Sequence, residues 1–118
     1  MAQHIETGAT GEQIATHYLE QQGCVILERN YRYKKAEIDI IAQKDKVLLF
    51  VEVKTRRAQK FGYPEESVTA KKETLFLLAA EEYIFQTNWL YDIRFDIISI
   101  TLASEKEYQL HHIEDAFH

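Results

Sequence analysis

The sequence predicts an α/β fold: a central mixed β-sheet, with elements in the order helix, three strands, helix, strand. Three observations carry this. The run Val47-Leu48-Leu49-Phe50-Val51, followed by Glu52-Val53-Lys54, is the unbroken apolar stretch of a strand buried on both faces at the centre of a sheet. A polar turn, Gln43-Lys44-Asp45-Lys46, joins it to the segment Ala36–Ala42, so these two pair as a hairpin. A helical stripe over about 69–86 then separates the central strand from another at Asp92–Ile100, a connection long enough for a parallel crossover.

Thr10-Gly11-Glu12-Gln13 starts the first helix, with Thr10 as cap and Gln13 completing a capping box after a loosely held tail, Met1–Ala9. Ile14, Ala15, Tyr18 and Leu19 form its apolar face, Glu12 lies at the edge of that face, and Gly23 fits the position that ends the helix. Cys24–Tyr31 is the first strand, and Tyr31-Arg32-Tyr33-Lys34-Lys35 an aromatic and basic loop. In Ala36–Ala42, strict alternation puts Glu37, Asp39 and Ile41 on one face and Ile38 and Ile40 on the other. With Asp45-Lys46 as a two-residue turn, Asp39 faces Glu52 across the hairpin, with Cβ atoms roughly 5 Å apart.

Beyond Lys54, Thr55–Pro64 reads as a basic loop punctuated by Gly62 and Pro64. In the second helix, Leu75, Leu78, Ala79 and Glu82 mark a stripe that Phe76, Ala80, Tyr83 and Ile84 widen. Lys71 and Lys72 stand in its first turn, against the dipole preference. A short strand over Tyr108–Ile113 is expected at the end, with His111, His112 and His118 on the surface.

The 118 residues suit one domain, 1–118, with its core at about 10–100. The single cysteine, Cys24, excludes an intramolecular disulfide and any CxxC zinc site, and sits in an apolar run as a small buried hydrophobe. No secretory signal or bilayer-spanning run is visible, so a cytoplasmic protein without a membrane partner is expected. The net charge is −5, but residues 28–72 hold 12 of the 14 Lys and Arg against 7 Asp and Glu. Such asymmetry suits a basic working surface on an acidic body, a pattern that fits nucleic acid. A chance cluster of solvated charges is the plainer alternative.

Glu52 and Lys54 share a strand face roughly 6.6 Å apart along the chain. They are either a structural ion pair or part of a metal-dependent site. Asp39 opposite Glu52 favours the second, because facing carboxylates in a buried sheet need a counter-charge. Asp96 with Arg94 reads as a structural pair at a strand edge.

The ordered set Gly11-Glu12, Ile26-Leu27-Glu28-Arg29-Asn30-Tyr31-Arg32, Glu37-Ile38-Asp39, Phe50-Val51-Glu52-Val53-Lys54-Thr55-Arg56 and Arg94-Phe95-Asp96 resembles the motifs of the bacterial YraN family, which is regarded as endonuclease-like. Asp39 followed by Glu52-Val53-Lys54 is similar to the PD-(D/E)xK nuclease site, and Glu12 adds a likeness to archaeal Holliday-junction resolvases. Two positions depart from the pattern: Ala36 stands where the family usually has Gly, and Ile38 where the superfamily has Pro.

The resemblance implies a restriction-endonuclease-like single domain and a Mg²⁺- or Mn²⁺-dependent, structure-selective DNA endonuclease. In that frame Asp39, Glu52 and the Val53 carbonyl hold the metal. Lys54 orients water or stabilises charge on the phosphate, and Glu12 holds a metal-bound water or a second metal. Arg29, Arg32, Lys34, Lys35, Arg56, Arg57 and Lys71 would grip the DNA backbone, which sets affinity rather than sequence choice. The alternative is a nucleic-acid-binding module that keeps the fold without turnover. The resolvases act as dimers, so a homodimer is admitted, although no heptad or apolar patch in the sequence marks one.

Overall fold

The computed structural model describes residues 7–58, 70–104 and 106–117. Its elements are α1 (Thr7–Gln21), β1 (Val25–Tyr33), β2 (Ala36–Lys44), β3 (Val47–Arg57), α2 (Ala70–Thr87), β4 (Asp92–Leu102) and β5 (Tyr108–Ile113). The five strands form one mixed sheet in the order β1-β2-β3-β4-β5. Only β3 and β4 pair in parallel; the other neighbours are antiparallel. This is a small α/β fold consistent with the restriction-endonuclease-like class.

Alternation along β3 divides the core into two layers. Leu49 and Val51 pack with Ala15 and Leu19 of α1. Leu48 and Phe50 pack with Phe76, Ala79, Ala80 and Tyr83 of α2. The sheet is thus covered by one helix on each face, which is why β3 is apolar without interruption up to Val51. Leu78, expected in the α2 stripe, is 46% exposed because the buried arc centres on Phe76, Ala79, Ala80 and Tyr83.

The β2–β3 register is the expected one, with Ile40 opposite Val51 and Ile41 opposite Phe50. Gly23 ends α1 with φ +93. Its N–H donates to the Glu20 carbonyl and that of Cys24 to the Leu19 carbonyl, both at 3.0 Å, a Schellman closure.

Several boundaries move. The first helix begins by Thr7, so Thr10 has helical backbone and is not its N-cap. Of the expected tail, residues 1–6 lie outside the described residues. The first strand extends to Tyr33, because the ladder runs to Tyr33 opposite Ala36, and only Lys34-Lys35 turns. Thr55, Arg56 and Arg57 are not loop but strand, since the parallel ladder with β4 continues to Arg57 opposite Leu102. Residues 59–64 of that expected loop, and Thr69 at the expected helix start, lie outside the described residues.

Strict alternation in β2 fails at one place. Ile40 packs in the α1 layer but Ile38 in the α2 layer. Opposite this switch in β1, Asn30 has φ +54, a left-handed conformation that Asn tolerates and that interrupts the pleat. Asp39 sits at the switch itself.

Gly11 brings α1 against β3. A Cβ there would overlap Thr55 Oγ1 and come within 2.7 Å of Thr55 Cβ. Gly11→Ala should therefore lower stability by about 1–2 kcal/mol, the overpacking cost outweighing the gain in helix propensity. A thermal melt checks this; an unchanged or raised midpoint would show that α1 slides aside at no cost.

Candidate active site

One end of the sheet collects the charged residues. It contains the C-terminal end of β3, the start of β2 and the β1–β2 turn, together with the N-terminal ends of both helices. Gly11 of α1 lies on Thr55, and Lys72 of α2 reaches Glu52. Both helix dipoles therefore point their positive ends toward this pole.

Glu52 is 3% exposed. The alternation that places Leu48 and Phe50 in the α2 layer places Glu52 and Lys54 there too. The cation at Glu52 is not Lys54, however. Lys72 Nζ lies 2.5 Å from Glu52 Oε1, while neither carboxylate oxygen has a hydrogen-bond donor in good geometry among the described residues. The two facts describe a close charge contact with poor angles. The lysine side chain is 61% exposed, so this ion pair is easily opened to solvent.

Asp39 lies where the β2–β3 ladder stops. Its Oδ2 accepts the Val53 N–H at 2.7 Å, replacing the lost ladder bond with a side-chain one. In an extended strand the N–H and C=O of one residue point to the same side, so the Val53 carbonyl also faces this gap. Burial, helped by the charges of Glu12, Glu52 and Glu37, pushes the Asp39 carboxyl up to about 6 against the pull of the Val53 N–H. Glu12, half-buried on α1, is raised by burial, with Arg29 and the Asn30 side chain drawing it back. Because Asp39 sits at the pleat switch, charges from the α1 and α2 layers both reach it.

A group raised in this way favours the folded state at low pH. Below the ordinary value of 3.8 the carboxyl is neutral in both states, and above about 6 it is ionised in both, with the folded state bearing the cost. The metal-free protein should gain stability from this group as pH falls from 7 toward 4. Asp39→Asn should stabilise it at pH 7 by about 1–3 kcal/mol and flatten that dependence. Urea denaturation in EDTA measures both, and a variant weaker than the parent at pH 7 would contradict the assigned repulsion.

The donor set fits a hard divalent cation. Two carboxylates near a backbone carbonyl, one of them buried with no well-aligned hydrogen bond among the described residues, match an ion that takes one or two carboxylates and keeps several waters. Among the described residues no group of three or more His, Cys, Asp or Glu side chains is close enough to hold a metal alone. The remaining ligands would be the Val53 carbonyl and water.

The expected phosphate-binding residues divide. Arg29 is exposed on β1 and acts on Glu12. Arg32 pairs with Glu37 at 3.4 Å. Lys34 and Lys35 form the exposed turn, Arg56 is half-buried on β3, and Arg57 is exposed at its end. Lys71 is in the first turn of α2, but its side chain lies outside the described residues. Lys72 was marked in the sequence only by its place against the dipole; that it reaches Glu52 depends on how α2 lies across the sheet.

A second charged cluster lies on the α1 face of the sheet, where Asp96 stands opposite Val51 in the parallel ladder. Asp96, 0% exposed, accepts from Arg94 Nε and Nη2 at 2.9 Å each and from the Asp115 N–H at 3.1 Å. His112 Nε2 lies 2.8 Å from its Oδ2, and His112 Nδ1 2.9 Å from the Tyr18 hydroxyl. Burial would raise the Asp96 carboxyl, but these bonds hold it below its ordinary value. The Arg94–Asp96 pair forms as expected, though β4 is not an edge strand. His112 is a correction: it is not a surface residue but ties β5 to α1 and β4. Only the pairing of β5 with β4 brings it there. Cys24 is buried as expected, and burial raises its thiol.

The sequence model of the uncharacterised protein family UPF0102 matches residues 11–100. The chain belongs to this family, also called YraN. A UPF0102 protein of Flavobacterium psychrophilum is 43% identical over 118 residues, covering 100% of this chain and 98% of its own. One from Cytophaga hutchinsonii is 48% identical over 99 residues, 84% of this chain and 88% of its own. One from Chlorobium phaeobacteroides is 45% identical over 116 residues, 93% and 91% of the two chains. The UPF0102 match takes in Glu12, Asp39, Glu52, Lys54 and the Arg94–Asp96 pair, and stops before His112. Among the described residues no helix is long and apolar enough to cross a membrane.

Proposed function

We propose that this UPF0102 protein is a divalent-cation-dependent endonuclease that hydrolyses phosphodiester bonds in DNA, selecting its substrate by structure, in the cytoplasm. The observation that carries the reading is Glu52, a nearly buried carboxylate whose contact among the described residues is the exposed Lys72 ammonium, beside Asp39, whose carboxyl is pushed up to about 6. A structural ion pair needs one carboxylate and one cation; here Glu12 and Glu52 both raise the carboxyl of Asp39, so three carboxylates act on one another at this pole.

Asp39, Glu52 and the Val53 carbonyl would hold Mg²⁺ or Mn²⁺. Such an ion would supply Lewis-acid polarisation of a phosphate. Asp39 is kept in place by the Val53 N–H. Glu12, whose charge acts on Asp39, would accept a proton or hydrogen-bond a water there. Lys54, on the Glu52 face, would stabilise charge developing on the phosphate. Lys72 neutralises Glu52 in the free protein and can turn to a phosphate oxygen when substrate is present. Lys34, Lys35, Arg56 and Arg57, with Lys71, would hold the backbone without reading bases. The Arg32 charge is shared with Glu37, so its contribution is smaller.

The Lys72–Glu52 pair also favours a second reading, a DNA-binding module with this fold in which lysine has taken the cation's place and turnover is lost. Cleavage of labelled four-way, flap and linear DNA with Mg²⁺ or Mn²⁺ against EDTA separates the two. Metal-dependent cutting establishes the nuclease; tight binding without cutting in any metal establishes the module.

A further inference from the structure

On the Glu52 side of the sheet, the β1–β2 hairpin and α2 enclose an open pocket of about 270 Å³. Tyr33, Ala36, Leu75 and Leu78 form its apolar wall, and Lys34 and Lys35 stand at the rim. The lysines are placed there by the two-residue turn, with Lys34 at φ +57 and its ammonium 5.3 Å from the Tyr33 ring centroid. Leu78, 46% exposed, is an apolar side chain that the core does not use.

The pocket is close to the candidate active site. Leu75 is one helical turn, about 5 Å of rise, from Lys72, which contacts Glu52. Ala36 is three strand residues, roughly 10 Å, from Asp39. A strand of nucleic acid with a phosphate at Glu52 would pass the pocket within a nucleotide or two.

We propose that this pocket receives one unpaired nucleobase of the DNA bound at the candidate active site, with Lys34 and Lys35 holding the adjoining phosphates. The inference rests on the DNA-cleaving reading above and deepens it by naming the substrate class: DNA with an unpaired nucleotide beside the phosphate to be cut. The wall offers almost no hydrogen-bonding groups, so it accepts any base through its faces and cannot read base edges. The ammonium groups complement phosphates, which separates this occupant from an apolar protein side chain. A fully paired duplex must unstack a base to fill the pocket, at a cost of a few kcal/mol, so a flap or bulge is preferred.

The test uses the full chain in EDTA, where binding is read without cutting. DNA carrying 2-aminopurine at an unpaired position is compared with the same base paired, and with an abasic site at that position. The parent protein should change the fluorescence of the unpaired probe alone. It should also bind the unpaired base about tenfold more tightly than the abasic DNA, within the range of one base–aromatic stack. Leu78→Gln, a surface change that leaves both Lys34 and Lys35, should lose the fluorescence change and the tenfold preference while binding duplex as before. Equal preference in the parent and Leu78→Gln, with DNA binding intact, overturns the pocket and leaves the nuclease reading standing. Absence of DNA binding in both overturns the two together.

Discussion

Glu52→Gln is expected to abolish metal-dependent cleavage while leaving the fold intact. The side chain is 3% exposed at the end of the central strand, so an isosteric amide fits the same space. What changes is charge. The variant removes one of the two carboxylates proposed to hold the cation, and loss of even an outer partner of a metal commonly costs 10- to 100-fold. A fall of more than about 100-fold in cutting is therefore expected, with a matching loss of Mg²⁺ or Mn²⁺ affinity by calorimetry.

In EDTA the same change should not lower the melting temperature. Glu52 is among the charges that raise the Asp39 carboxyl, so neutralising it relieves repulsion, and Lys72 is exposed enough to return to water. Turnover at the parent rate in Glu52→Gln would end the proposed mechanism. A collapsed variant would assign Glu52 a structural role instead, and Glu52→Asp, which keeps the charge at a shifted position, then separates charge from packing.

Asp96→Ala should have the largest effect on stability, a loss of about 3–5 kcal/mol, the usual result of removing one partner from a buried charged network. Arg94, His112 and the Asp115 N–H all lose their acceptor at once. That loss is a large part of a typical total of about 5–15 kcal/mol. The pH dependence gives a second reading. The folded Asp96 carboxyl is held below 3.8, so its contribution is complete above that value and fades as pH falls through the lower folded one. The parent should lose stability in that acid range, and Asp96→Ala should lack this part of the slope. Chemical denaturation at pH 7 and across the acid range measures both effects. A loss under about 1 kcal/mol would show the network to be incidental.

The two clusters were unequally legible in the sequence. Asp39, Glu52 and Lys54 could be placed on one side of one hairpin because two-residue turns and strand period fix register locally, and Ile40 does lie opposite Val51. Glu12 could be turned inward from its angle to Leu19 on the helix. The Tyr18–His112–Asp96 chain could not be read, because its members come from α1, β5 and β4 and share no local period.

By itself the sequence determined the element types and their order, the buried central strand, the hairpin register and the charge asymmetry. These depend on turn chemistry, hydrophobic period and composition, all of which act over a few residues. Tertiary structure alone decided which cation meets Glu52, since Lys72 reaches it only when α2 crosses the sheet with its N-terminus at that pole. It also decided the break in alternation at Asn30 and Asp39, which puts Ile38 and Ile40 in different layers. An uninterrupted strand serves both helix layers by alternation, as β3 does, but Ile38 and Ile40, two residues apart, reach different layers only because the pleat is interrupted between them. That interruption leaves Asp39 at the end of its ladder, within reach of charges from both layers.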